Sequence, residues 1–150
     1  MPACTFFGHR DCPRVSKSKL REVLIGLIEG HDVDMFYVGH QGAFDALVSG
    51  VLRDLAQEYP HVQYAVVLAY MPSENPGPAD YSDTMLPEGI EFVHPRYAIS
   101  WRNNWMLQKS YFVVAYVGHS WGGAAQYVQK AIRSSKTVIN LYDLQQGGGK

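Results

Sequence analysis

Along this chain the spacing of hydrophobic positions switches repeatedly between a period of two or less and a period near 3.6. Short apolar runs rich in β-branched and aromatic residues occupy 4–7, 35–38, 64–69, 111–117 and 137–141, and each predicts a buried strand. Between them the spacing lengthens. Leu20, Val23, Leu24, Leu27 and Ile28 make the stripe of an amphipathic helix that Gly30 is expected to stop. Phe44, Leu47, Val48, Val51, Leu52 and Leu55 make a second, cleaner stripe ending before Pro60. Residues 96–109 predict a third helix. Ala124, Val128 and Ile132 predict a fourth, with Lys130, Arg133 and Lys136 favourably placed near its C-terminal end.

Strands alternating with helices imply a parallel sheet with right-handed crossovers. The expected fold is therefore α/β, a three-layer Rossmann-like domain with a parallel sheet of about five strands in the order 3-2-1-4-5. A single domain is expected over 1–144, with 145–150 as a disordered tail. The stretch 70–95 carries several prolines and the acids Glu74, Asp80, Asp83, Glu88 and Glu91, and is expected to be a lid, a binding loop or disordered.

In such sheets a ligand lies beyond the carboxyl ends of the strands, where strand order reverses. The loops expected there carry the unusual chemistry. Gly118, His119, Ser120, Trp121, Gly122, Gly123, Ala124, Ala125 and Gln126 follow a strand and open a helix, an arrangement that aims free N–H groups and a positive helix end at an anion. A phosphate cradle is the first reading. The same residues match the G-x-S-x-G nucleophile elbow. No histidine follows Ser120, however, and a hydrolase would need one from upstream, which triad geometry permits.

Gly8, His9, Arg10 and Asp11 sit at the first strand end, where Arg10 can grip a phosphate or pair with Asp11. Gly39, Gln41, Gly42 and Asp45 repeat the pattern, although Asp45 could simply favour the helix dipole. On the third helix Ile99, Arg102, Asn103 and Met106 share one face, and Tyr97, Trp101 and Trp105 share a rival one. Spacing alone does not choose between them. Three Gly-His pairs, at His9, His40 and His119, with Cys12 nearby, allow a metal site to be drawn, but packing or polar contacts to a ligand are preferred.

Composition narrows the classes. With 47% hydrophobic and 18% charged residues and a formal net charge of −1, the chain is of ordinary globular type. Its pI near 6.6 gives no electrostatic footprint, so nucleic acid is not expected as a partner. No apolar run approaches a membrane span, no leader is recognised, and only two cysteines are present, so a reduced, cytoplasmic protein is expected.

Taken together, residues 5–11, 36–45, 98–106 and 119–126 resemble the small bacterial and phage proteins of the SLOG superfamily, and the likeness runs from Cys4 to Leu141. That superfamily includes the Lonely Guy phosphoribohydrolases and the DNA-processing protein A group. The resemblance implies a Rossmann-like domain for nucleotides or nucleotide-derived ligands. The Arg-Lys pair of the phosphoribohydrolases is similar to Arg102-Asn103, so the arginine is kept and the lysine is not. Their P-G-G-x-G-T-x-x-E loop is similar to 118–126, with Gly122 on a motif glycine, Ser120 in place of another, Gly123 in place of the threonine and Gln126 in place of the glutamate. A neutral amide stabilises the cationic sugar of glycosidic cleavage far less than a carboxylate does.

The expected ligand-binding residues are Gly8, His9, Arg10, Asp11, Gly39, Gln41, Asp45, Arg102, Asn103, His119, Ser120, Trp121, Gly122, Gly123, Ala124 and Gln126. The expected partner is a nucleotide or ADP-ribose-like small molecule that is sensed, carried or sequestered. Cleavage of a nucleoside phosphate at its N-glycosidic bond is the alternative, with Asp11, Asp45 or a carboxylate of the 70–95 stretch replacing the missing glutamate. No resident cofactor or metal is expected. Tyr97, Trp101 and Trp105 are candidates to cover a second copy in a homo-oligomer.

Overall fold

The structure, a computed structural model, describes residues 2–9, 15–70 and 83–147, without the side chains of 146 and 147. Arg10, Asp11, Cys12, Glu74 and Asp80 lie outside the described residues. In chain order the strands are β1 (Ala3–Gly8), β2 (Met35–Val38), β3 (Gln63–Val67), β4 (Thr84–Met85), β5 (Phe112–Tyr116) and β6 (Thr137–Asn140). The helices are α1 (Lys17–His31), α2 (Gly42–Glu58), α3 (Ala98–Lys109), α4 (Gly123–Arg133) and α5 (Leu141–Gly147).

All six strands pair in parallel in the order β4-β3-β2-β1-β5-β6. The five strands expected from the apolar runs keep their expected order, and β4 adds an edge from within the 70–95 stretch. That strand has two residues, too short to leave a periodic signature. Two short 3-10 turns follow, Ile90–Phe92 within the same stretch and Pro95–Tyr97 at its end, where it leads into α3.

Alternate residues of the central strands feed two separate cores, as the pleat requires. Cys4, Phe6, Phe112, Val114 and Tyr116 face α1, α2 and Leu141 of α5. Phe7 and Val113 face α3 and α4, packing with Met106, Leu107 and Ala131. Thr5, fully buried, satisfies its hydroxyl by donating to Tyr37 O at 2.9 Å.

Several boundaries differ from expectation for local reasons. Gly30 stays inside α1, and the helix is ended by Asp32 in the left-handed conformation, φ 57°. Ser16 caps its start by accepting from Lys19 N. On α4 the buried stripe is Ala125, Val128 and Ala131, leaving Ile132 60% exposed. Residue 141 begins α5 rather than ending β6, and α5 runs past the boundary expected at 144. Gln145 Oε1 accepts from Ser16 N at 2.9 Å, which ties this helix to the start of α1. Among the described residues no helix is long and apolar enough to cross a membrane.

Candidate functional site

The strand order reverses at β1, whose neighbours β2 and β5 continue the sheet in opposite directions. A cavity of about 610 Å³ opens beyond the carboxyl ends of β1 and β5, between the starts of α2 and α4 and one face of α3. Phe6, Phe7 and Gly8 line it from β1, and Tyr127 from α4. The third-helix ambiguity is resolved here: Ile99, Arg102, Asn103 and Met106 all line the cavity. The rival aromatic face is more peripheral. Tyr97 is 58% exposed, and Trp105 packs edge-on against Tyr37.

Arg102 is 1% exposed, an unusual burial for a guanidinium. Its Nη1 donates to Val67 O at 2.8 Å and its Nε to Asn103 Oδ1 at 2.8 Å. Nη2 has no hydrogen-bond partner among the described residues. Burial lowers the pKa of Arg102, and the nearby charge of Asp45 opposes that shift. Asp45 comes from the first turn of α2, where its Oδ2 accepts from Gln41 N at 2.9 Å. Burial raises its pKa from 3.8 to about 6, against the Gln41 N–H, Arg102 and His40.

Glycine ends the strands here for steric reasons. A Cβ on Gly8 would lie 2.4 Å from the Phe44 ring, and one on Gly118 would lie 2.6 Å from the Tyr142 ring. A Cβ on Gly39 would lie 2.8 Å from Asp45 Oδ2 and 3.2 Å from Arg102 Nη1. These glycines make room for side chains arriving from elsewhere in the chain. Gly39 and His40 line a neighbouring cavity of about 640 Å³ instead, and Asp45 borders both.

Opposite Arg102, three rings stack in series. His9 lies on His119 with centroids 3.7 Å apart and planes 17° apart, and His119 lies on Trp121 at 3.8 Å and 13°. Gly118 N donates to His9 Nε2 at 3.2 Å, which requires that nitrogen to be unprotonated. Burial, then the neighbouring His119, lowers the pKa of His9. His119 Nδ1 is buried without a hydrogen-bond partner among the described residues. Behind this loop Asn140 locks Val117 on both sides, its Oδ1 accepting from Val117 N at 3.1 Å and its Nδ2 donating to Val117 O at 2.9 Å.

After Trp121 the backbone turns through Gly122, φ 95° and ψ 169°, a conformation essentially restricted to glycine. Gly122 is the N-cap of α4 and has no side chain to cap it, and among the described residues no other side chain does so. Among the described residues the first N–H groups of α4 thus lack a side-chain acceptor beside Gly122, Gly123 and Ala124, which line the cavity. Ser120 is exposed and outside the cavity lining, and no hydrogen bond joins it to a histidine among the described residues. Gln126 is also placed elsewhere, on a shallow basin of about 300 Å³ with Asn104, Gln129, Lys130 and Arg133.

Of the expected site residues, the structure thus gathers Gly8, His9, Gln41, Asp45, Arg102, Asn103, His119, Trp121, Gly122, Gly123 and Ala124 around one cavity. Gly39, Ser120 and Gln126 stand outside it. Tyr127 was missed by sequence reasoning, although its place three residues after Ala124 on one helix face was a usable signal. Its hydroxyl reaches Ser100 O at 3.2 Å, bridging α4 to α3. The histidines do not assemble as drawn on paper. His9 and His119 stack while His40 borders the other cavity, and among the described residues no three His, Cys, Asp or Glu side chains form a metal-ligand group.

The chain matches no family model and no curated protein. Among solved structures it is similar to the X-ray structure of DNA processing protein A (DprA) from Streptococcus pneumoniae, with a TM-score of 0.66 at 15% sequence identity. The match covers 98% of this chain and 56% of that one, so the chain spans little more than half the length of its structural neighbour. The two share a Rossmann-like fold.

Proposed function

We propose that this domain binds a nucleotide or ADP-ribose-like ligand in the 610 Å³ cavity, as a sensor, carrier or sequestering protein. The observation that carries the reading is a buried guanidinium lining the same cavity as an uncapped helix start. Arg102 supplies a fixed positive charge, its Nη2 unpartnered among the described residues, and α4 supplies backbone donors and the positive end of its dipole. Both favour an anion, and neither has to be reorganised to receive one. Arg10 and Asp11 are further candidate contacts from the β1 loop. The motif resemblance to the SLOG superfamily supports the same ligand class.

Calorimetry with ADP-ribose and AMP tests the reading, together with chromatography of the ligand after long incubation. Binding with unchanged recovery is the expected result. Arg102→Ala should weaken binding by about 1.5–3 kcal/mol, the loss typical of a charge-assisted contact. A protein that binds neither compound would overturn the proposal. The structural neighbour is named for DNA processing, so the expectation against nucleic acid is not carried forward. Short single-stranded DNA belongs in the same titration, and its tight binding with no response to AMP or ADP-ribose would replace the small-molecule reading.

Asp45 favours a second reading, cleavage of an N-glycosidic bond. Its carboxyl borders the cavity and its pKa is raised to about 6, so near neutral pH it is a carboxylate able to accept a proton. The departing base would keep the electron pair of the broken C–N bond, and Asp45 would take the proton of the attacking water. Gln126 faces another basin and is no substitute. Free base accumulating during the incubation, and ceasing with Asp45→Asn, would establish this reading over the first.

A further inference from the structure

We infer that the open face of the Trp121 indole is the seat of the ligand's heteroaromatic base, an assignment that rests on the phosphate reading of the α4 start. One face of the indole is covered by His119 at 3.8 Å, yet Trp121 remains 68% exposed. That exposure must come from the opposite face and the ring edge. The same residue lines the 610 Å³ cavity.

The ring is held rather than loose. His119 presses on it from behind, His9 presses on His119, and His9 is fixed by the Gly118 N–H. An exposed aromatic side chain whose rotamer is already set loses little freedom when a second ring covers it. Gly122 fixes the angle between the indole and the first turn of α4 through its φ of 95°. The base seat and the phosphate seat therefore adjoin along two residues of backbone, in one rigid unit.

The chemistry of the face selects a planar heteroaromatic ring. An indole offers a broad π surface and no acceptor there, so a base gains by stacking without needing hydrogen bonds. A sugar ring is the competing occupant, since its C–H face can also cover an indole. Ribose 5-phosphate carries the sugar and phosphate without the base, and AMP adds the base, so the pair separates the two occupants.

The experiment is calorimetry with AMP and ribose 5-phosphate on the wild type, Trp121→Ala and Trp121→Phe. AMP should bind about tenfold more tightly than ribose 5-phosphate to the wild type, within the range expected for one base stacked on an aromatic side chain. Trp121→Ala should bring AMP down to the ribose 5-phosphate affinity while leaving the latter unchanged, and Trp121→Phe should keep most of the difference. AMP should also quench the tryptophan emission of the wild type and not that of Trp121→Phe, which retains Trp101 and Trp105. Equal affinities in the wild type, or an alanine variant that weakens both compounds alike, would overturn the base seat and leave the phosphate reading standing. Binding of neither compound would remove both.

Discussion

Asp45 Oδ2 and the Arg102 guanidinium converge on one point, the place a Cβ would take on Gly39, although they arrive from α2 and α3 respectively. A half-buried carboxyl and a fully buried guanidinium are thereby held against a backbone that has no side chain of its own. Gly39→Ala introduces a methyl at 2.8 Å from the carboxylate oxygen and 3.2 Å from Nη1. The expected cost is about 1–3 kcal/mol in urea unfolding, the usual range for overpacking. Weaker AMP or ADP-ribose binding should accompany it, because Arg102 must shift. Wild-type stability in this variant would show that the two side chains can move aside freely.

Asp45 also predicts a pH dependence. Its folded pKa of about 6 lies above the ordinary 3.8, so the folded state holds the proton more tightly than the unfolded chain does. The stabilising contribution is complete below about pH 3.8 and is lost as pH rises through 6. A shift of this size corresponds to at most about 3 kcal/mol. Asp45→Asn should flatten the stability profile between pH 4 and 6, measured by urea unfolding across that range. An identical slope in the variant would assign the effect to other groups. Protonating Asp45 also leaves Arg102 without its counter-charge, so ADP-ribose should bind more tightly at pH 5.5 than at 7.5.

The glycines at the strand ends should not behave alike on substitution. Gly8→Ala sets a methyl 2.4 Å from the Phe44 ring, and a loss of about 1–3 kcal/mol is expected. Gly123→Ala meets nothing within 4 Å and lies on a helix, so stability should stay level or rise by up to about 0.5 kcal/mol. Thermal unfolding of the two variants side by side checks the contrast. Equal destabilisation would remove the steric account.

His9 should titrate below 6.5, because burial and then His119 disfavour its charged form. Its folded pKa is lowered, so its contribution to stability is complete above about 6.5 and is lost as pH falls through the folded value. An NMR titration of the imidazole protons reads this directly. In His119→Ala, which removes both the covering ring and its charge, the midpoint should return toward 6.5. A midpoint that is normal in the wild type would contradict the stacked arrangement.

What the chain discloses before folding follows the range of the interactions involved. Five strands and the α2 stripe were legible because burial imposes a local period, and the parallel order followed from the alternation of elements. The β4 edge was not, since Thr84 and Met85 are too few to establish a period. The two faces of α3 were left open because both fit helical spacing; only the sheet beneath decides that Arg102 and Met106 go inward. The reason for glycine at 8 and 118 has no local signature, because Phe44 and Tyr142 fill the space beside them from far along the chain. Gln126 is the instructive case. Ala125 and Val128 mark the buried side of α4, which turns residue 126 away from the site that its motif position implied.

Ring contacts join His9 to His119 across 110 positions of sequence and Phe7 to Tyr127 across 120, closing long loops among the site's walls. A partly folded chain therefore cannot carry the binding site: it exists only when both ends of the fold have met. Any compound that occupies it reports on the whole domain, and by mass action a ligand at one hundred times its Kd adds about 2.7 kcal/mol to global stability. Thermal shift of the intact protein is thus a ligand screen in itself, because no local segment can register binding alone.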